Sequence, residues 1–105
     1  MPGIYRLTVA DLQSFRPTRR IHGTYFSLAV APGPVVKAAF VVSKKVAPLA
    51  VTRNRIKRRC RAALSPLIAT LAPAHYVFYA KKEAVSASFP ELKNDIAKLA
   101  ARCIA

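Results

Sequence analysis

Acidic side chains are scarce: Asp11, Glu83, Glu91 and Asp95 are the only four, and they are scattered along 105 residues. So sparse a set excludes the carboxylate cluster that metal-dependent phosphodiester cleavage needs to hold Mg²⁺. Histidine is scarcer still, with His22 in a turn-like stretch and His75 at the start of a strand-like one, so no general acid and base pair is visible. Cys60 and Cys103 are the only cysteines, and neither a CxxC nor a Cys/His zinc spacing occurs. They read as two buried or free thiols in a reducing compartment. No apolar run reaches the ~18 residues of a membrane span, and the opening "MPGIYRLTVADLQSF" lacks a charged region followed by a long apolar stretch. The sequence therefore reads as cytoplasmic, with no catalytic residue and no metal site of its own.

What the chain has in abundance is positive charge. Its 18 Lys and Arg give a formal net charge of +14. Self-repulsion of that size destabilises a compact body unless a polyanion binds, which points to nucleic acid or an anionic membrane. With 53% hydrophobic residues and three glycines it is nonetheless a folded globule, and its length suits a single domain, residues 1–105.

Along the chain, Thr8 and Asp11 fit the start of a short helix running through Leu12 to Phe15, which "FRPTRR" ends. "TYFSLAVA", 24–31, alternates as a strand; "PGP" is a turn; "VVKAAFVVS" returns as a second strand, predicting an antiparallel hairpin. Its "AAFVV" is apolar on both faces and predicts cover on both sides. From Arg53 the period becomes helical, with Ile56, Cys60, Leu64, Leu67 and Leu71 on one stripe. Pro66 predicts a kink or restart there, with Ser65 as N-cap. "HYVFYAK", 75–81, is a further strand, and a Ser88–Glu91 capping box opens a closing helix with Phe89, Leu92, Ile96, Leu99 and Cys103 on its apolar stripe. The order helix, hairpin, helix, strand, helix predicts a small α+β sandwich, one sheet with helices packed on it.

A run of charge is ordinarily a solvated helix face. Here "AVTRNRIKRRCRAAL", 50–64, holds six cations and no acid, and Lys44 and Lys45 bring the total to eight of the 18 cations within residues 44–61. Such a helix gains no i,i+4 ion pairs and carries like-charge repulsion, so local folding does not ask for it and binding does. Arg clamps phosphates with a planar fork, Asn54 both donates and accepts, and a helix N-terminus adds free N–H groups. A membrane-binding helix would show bulky apolar anchors, whereas this stripe contains the small Cys60. No helix precedes it at helix-turn-helix spacing. Tyr25, Phe40, Tyr76, Phe78 and Tyr79 lie on the predicted sheet; a sheet of this size buries most of its aromatics and leaves about one or two as stacking platforms for unpaired bases.

A strand ending in "SKK", a short apolar loop and then "RNRIKRRCR" opening a helix closely resembles the protein subunit of bacterial ribonuclease P, and the resemblance runs from about Arg6 to Ala101. It implies a two-layer α/β sandwich, mainly antiparallel, in the order α-β-β-(β)-α-β-α, with a left-handed crossover around the basic helix. It also implies partners: a catalytic RNA that holds the Mg²⁺ ions, and the single-stranded 5′ leader of precursor tRNA, with the protein a monomer in the ribonucleoprotein and no cofactor of its own. By position Arg53, Asn54, Arg55, Lys57, Arg58 and Arg61, with Lys44 and Lys45 beside them, take the RNA-facing roles; Phe15 and Tyr25 take the leader-binding ones. Two departures from the family stand out: Leu12 lies near where the family often has a second helix aromatic, and Ala29 replaces a frequently larger strand residue. The alternatives are a ribosomal or other structural RNA-binding protein, and a stand-alone basic nuclease, against which the missing acids speak.

Overall fold

The computed structural model describes residues 5–103. Thr8 caps α1, Val9–Gln13, through a complete capping box with Asp11, as expected, but the helix stops at Gln13, two residues short of Phe15. Four strands follow: β1 Arg19–His22, β2 Phe26–Pro32, β3 Lys37–Val41 and β4 Ala74–Ala80. Between β3 and β4 runs α2, Ala50–Leu64, continued by a 3-10 helix, Ser65–Thr70; after β4 come a second 3-10 helix, Lys82–Val85, and α3, Phe89–Ala101. The chain restarts at Pro66 as predicted, but Ser65 makes no cap: it has helical dihedrals and closes α2.

The predicted hairpin does not form. The sheet order is β1-β2-β4-β3, so β4 lies between the two strands expected to pair, antiparallel to β2 and parallel to β3. Two physical causes converge. The link between β2 and β3, residues 33–36, adopts no positive φ and so is not one of the tight two-residue turns that fold a strand straight back on its predecessor. Strand β4, with Tyr76, Val77 and Phe78 all buried, is the segment that needs neighbours on both sides. The short β1 was legible only as the approach to β2, because Ile21 is its one buried residue.

The core fills the space between one sheet face and the helices. Phe26, Leu28, Phe40, Tyr76 and Phe78 meet Ile56, Cys60 and Leu64 of α2 and Leu92, Ile96 and Leu99 of α3. Phe40 stacks on Phe78 at 5.0 Å, and Phe26 meets Phe78 edge-on at 6.4 Å. The two-sided cover expected for β3 is partial: its residues alternate between buried and half-buried, and its free edge is protected by a bridge from Arg6 to Ala38.

One buried charge locks the layers together. Asp95 of α3 accepts the backbone N–H groups of Thr24, at 3.0 Å, Tyr25, at 2.9 Å, and Phe26, at 3.1 Å. Gly23 stands against the same carboxylate so closely that a Cβ there would lie 2.8 Å from both oxygens. This turn has to be glycine because the carboxylate occupies the space a side chain would need.

Candidate nucleic-acid interface

Helix α2 buries Ile56, Cys60, Ala63 and Leu64 and turns its remaining arc outward. Asn54, Arg55 and Arg58 are exposed, and Lys57, Arg59 and Arg61 are half-buried along the flanks. Lys44 and Lys45 project from a tight turn that Ser43 holds by accepting the N–H groups of Val46 and Ala47, so both ammonium groups reach solvent beside the helix start. Arg53 differs from its neighbours: its Nη1 donates to the carbonyls of Ala47, at 2.9 Å, and Pro48, at 2.8 Å, fastening the incoming loop. Part of its fork is therefore structural, with the other N–H groups left for a ligand.

Among the described residues no acid forms an ion pair with this arc. Asp11 and Glu91 accept the backbone N–H groups of their helix caps, and Asp95 holds the β1–β2 turn. The ion pair found among the described residues, Lys37 to Asp11, is long at 3.8 Å. The hydrogen bonds from Thr8 hold the Asp11 carboxyl below its ordinary range, and those from Tyr25 and Ser88 do the same for Glu91. The arc on α2 is thus an uncompensated cationic surface, and the helix start adds N–H groups that no side chain caps.

Phe15 lies on the other side of the molecule. It lines a cleft of about 410 Å³ with Ala31, Thr18 and His75 on the sheet face turned away from the core. Leu12 and Arg61 share a smaller cleft of about 170 Å³ with Arg6 and Ala39 at the β3 edge. Phe15 and Tyr25 are not brought together. Strand alternation would put Tyr25 on the face that carries Phe15, but the chain has not yet entered β2 at that residue. The Asp95 carboxylate draws the turn toward α3, and the Tyr25 hydroxyl donates to Glu91 at 2.6 Å. That bond, with Glu91 as acceptor, raises the phenol above its ordinary range.

One residue of this region, Arg6, escaped the sequence reading, and one of the five sheet aromatics named there, Tyr79, is the one left exposed. Arg6 joins Arg61 at the β3 edge, and Tyr79 stands 36% exposed on the outer face. Alternation inside "HYVFYAK" separates Tyr79 from Tyr76 and Phe78 and could have found it.

Among the described residues no three His, Cys, Asp or Glu side chains gather to hold a metal, and no helix is long and apolar enough to cross a membrane. Burial pushes the Cys60 thiol up to about 12, which suits a packing role.

The Ribonuclease P family model matches residues 11–104. The ribonuclease P protein component of Thermus brockianus is 41% identical over 86 residues, 82% of this chain and 51% of that protein. The corresponding component of a Nitratiruptor species is 36% identical over 81 residues, 77% of this chain and 73% of its own length. The chain thus spans about half the length of the Thermus relatives it matches. Among solved structures, the RNase P protein of Staphylococcus aureus superposes with a TM-score of 0.80 at 22% identity, covering 96% of this chain and 98% of its own. That of Thermotoga maritima also gives 0.80, at 18% identity, covering 95% and 98%. The fold is therefore the same two-layer arrangement of sheet and helices. By family match and by sequence identity, this chain belongs to the ribonuclease P protein family.

Proposed function

We propose that this chain is the protein subunit of a ribonuclease P ribonucleoprotein, binding its catalytic RNA and the 5′ leader of precursor tRNA so that the leader is removed by endonucleolytic cleavage. The observation that carries the reading is the cationic arc of α2, set on this family's fold with no acidic partner. Arg55, Asn54 and Arg58 meet RNA phosphates and sugars from the exposed arc, Lys57 and Arg61 from its flanks, and Lys44 and Lys45 from the adjoining turn. Arg53 contributes the N–H groups that its loop bonds leave free. The outer sheet face beside Phe15 receives the unpaired leader. The Mg²⁺ ions belong to the RNA, because the protein's carboxylates are dispersed and three of the four already serve its own backbone.

Reconstitution tests this. The chain is mixed with a bacterial ribonuclease P RNA, and cleavage of precursor tRNA is followed at an Mg²⁺ concentration at which the RNA alone is slow. Faster cleavage at the mature 5′ end, with none by the protein alone, is the expected result. RNA binding without any acceleration would favour a structural RNA-binding protein, and cleavage without RNA would make the chain itself a nuclease.

A further inference from the structure

Eight of the 18 cations lie within residues 44–61, so more than half of the positive charge sits elsewhere. Part of it gathers at the far edge of the molecule. Helix α2 lies against β3, whereas α3 lies against β2 on the side where β1 ends the sheet. Between β1 and α3 opens a groove of about 260 Å³, in which Thr24, Lys98 and Arg102 are exposed while Ile21 and Leu99 are buried. The Asp95 carboxylate also borders it, but three backbone N–H groups of the β1–β2 turn already occupy that acceptor.

Arg19 joins this edge from the strand. It stands two residues before the buried Ile21 and so shares the face of β1 turned toward the helices. Burial raises the Cys103 thiol, and Arg19 and Arg102 both lie close enough to oppose that rise, which sets the two guanidiniums around one point of the edge. On α3, Asn94, Lys98 and Arg102 follow at intervals of four as one exposed stripe about 12 Å long. After Asp95 the sequence carries no acid, and among the described residues none of Arg19, Lys98 and Arg102 is ion-paired.

Taken singly, each cation has an ordinary explanation. Lys98 and Arg102 complement the negative end of the α3 dipole, and Arg19 discourages another chain from pairing with an edge strand. Neither effect accounts for bringing all three to one groove, where like charges repel and no acid offsets them. The residue types narrow the ligand. No Phe, Tyr or Trp lines the groove, and the ring of His22 is engaged with the Ser27 hydroxyl at 3.0 Å, so an unpaired base finds nothing to stack on. A double-stranded RNA segment is bound instead through its phosphates and 2′-hydroxyls, and Asn94 and Thr24 can each donate and accept as a 2′-hydroxyl requires.

We propose that the α3–β1 edge, through Arg19, Lys98 and Arg102 with Asn94 and Thr24, is a second RNA-binding surface that grips the backbone of a helical segment of the catalytic RNA. Placement selects that partner: α3 packs beside α2 in the helix layer, whereas the leader reading uses the opposite face of the sheet. The inference rests on the RNA-subunit reading above and adds a contact that α2, set against β3, does not reach. Helix α3 thus uses its first turn and buried face for the fold and leaves this stripe to a ligand.

The test reconstitutes the full chain with a bacterial ribonuclease P RNA and measures affinity against salt, with hydroxyl-radical footprints of that RNA and of bound precursor tRNA. Replacing Lys98 and Arg102 together by Ala should flatten the log–log salt slope by about one to two, at ~0.7 to 0.9 per phosphate, and remove protection from one helical segment. Arg19→Ala, on a different element, should weaken protection of the same segment and flatten the slope by about half as much. That segment should differ from the one uncovered by Arg55→Ala with Arg58→Ala. Lys98→Arg with Arg102→Lys keeps both charges and should restore slope and footprint. A folded double Ala variant with both unchanged, in a chain that binds and activates the RNA, would reduce the two residues to dipole partners and overturn this proposal alone. Protection lost from precursor tRNA instead of the catalytic RNA would overturn the choice of partner. A wild-type chain that does not bind the ribonuclease P RNA would overturn both this proposal and the reading beneath it.

Discussion

Helices α2 and α3 pack side by side on one sheet face and begin in opposite ways. At the start of α3, Ser88 accepts the Glu91 N–H, Glu91 accepts the Ser88 N–H, and a proline sits in the first turn. At the start of α2 the cap residue is Leu49, with no side-chain hydrogen bond and no acid in the first turn, and Arg53, Asn54 and Arg55 follow. Cations near a helix N-terminus oppose its dipole, and four N–H groups there lack partners. The chain completes a capping box on α1 and on α3 and withholds one from its longest, most charged helix. Stability is concentrated in α3 and its turn. Helix α2 gives up local stability to keep an anion-attracting end open.

The largest effect that sharpens this contrast is at Asp95. Asp95→Ala leaves one buried and two part-buried N–H groups without their acceptor and should cost about 2 to 4 kcal/mol, read from the urea midpoint. Arg55→Ala, at an exposed site on α2, should move that midpoint by about 0.5 kcal/mol or less. Equal losses would erase the division between a stabilising helix and a binding one. Next comes binding itself. Replacing Arg53, Arg55 and Lys57 together by Ala should flatten the log–log salt dependence of affinity for the catalytic RNA by about two to three, at ~0.7 to 0.9 per phosphate. A folded triple variant with an unchanged slope would make the arc an ordinary solvated face. Of the three, Arg53→Ala alone should also loosen the fold, since it releases the carbonyls of Ala47 and Pro48.

What could be read from the sequence divides along the same line. Both capping boxes, the Ile56–Cys60–Leu64 stripe and the cationic arc are local: residues three or four apart decide them. The pairing of β2 with β4 joins segments about 50 residues apart, and nothing within either strand excludes the nearer partner β3. The outer face inherits that difficulty, because the cleft beside Phe15, lined by Ala31 of β2 and His75 of β4, exists only once those strands pair. The position of Tyr25 shows a related limit: alternation holds inside a strand, and a carboxylate 70 residues away turns the chain before the strand begins. Asp95 enters the sequence only as one of four scattered acids, and its burial depends on a turn the helix cannot specify.

Acid should separate the helices more gently. Glu91 is held below its ordinary range, first by the Tyr25 hydroxyl and then by Ser88. A carboxyl lowered in the folded state stabilises the fold above its unfolded pKa of ~4.3, and that stability disappears as the pH falls through the lower folded value. Glu91→Gln should therefore shallow the loss of stability below about pH 4.5, measured by urea unfolding at several pH values. An acid limb identical to wild type would mean that the capping box and its tyrosine contribute nothing through charge.

A small gain in stability bears most directly on why α2 is left uncapped. Leu49 has extended dihedrals, φ −83° and ψ 130°, as an N-cap residue should, and its side chain is 66% exposed, so replacing it removes little from the core. An aspartate there can accept an N–H from the first turn and place a negative charge at the positive end of the helix. Leu49→Asp should then stabilise the chain by about 0.5 to 1 kcal/mol. The same carboxylate would occupy the N–H groups and repel the phosphates that Asn54 and Arg55 attract, so affinity for the catalytic RNA should fall even as the thermal midpoint rises. Leu49→Asn separates the two contributions, since it caps with a neutral side chain and should retain most of the stability gain with a smaller loss of RNA binding. A stabilised Leu49→Asp variant that binds RNA as wild type does would place the bare helix end away from the RNA, and the absence of a cap on α2 would then need a different cause.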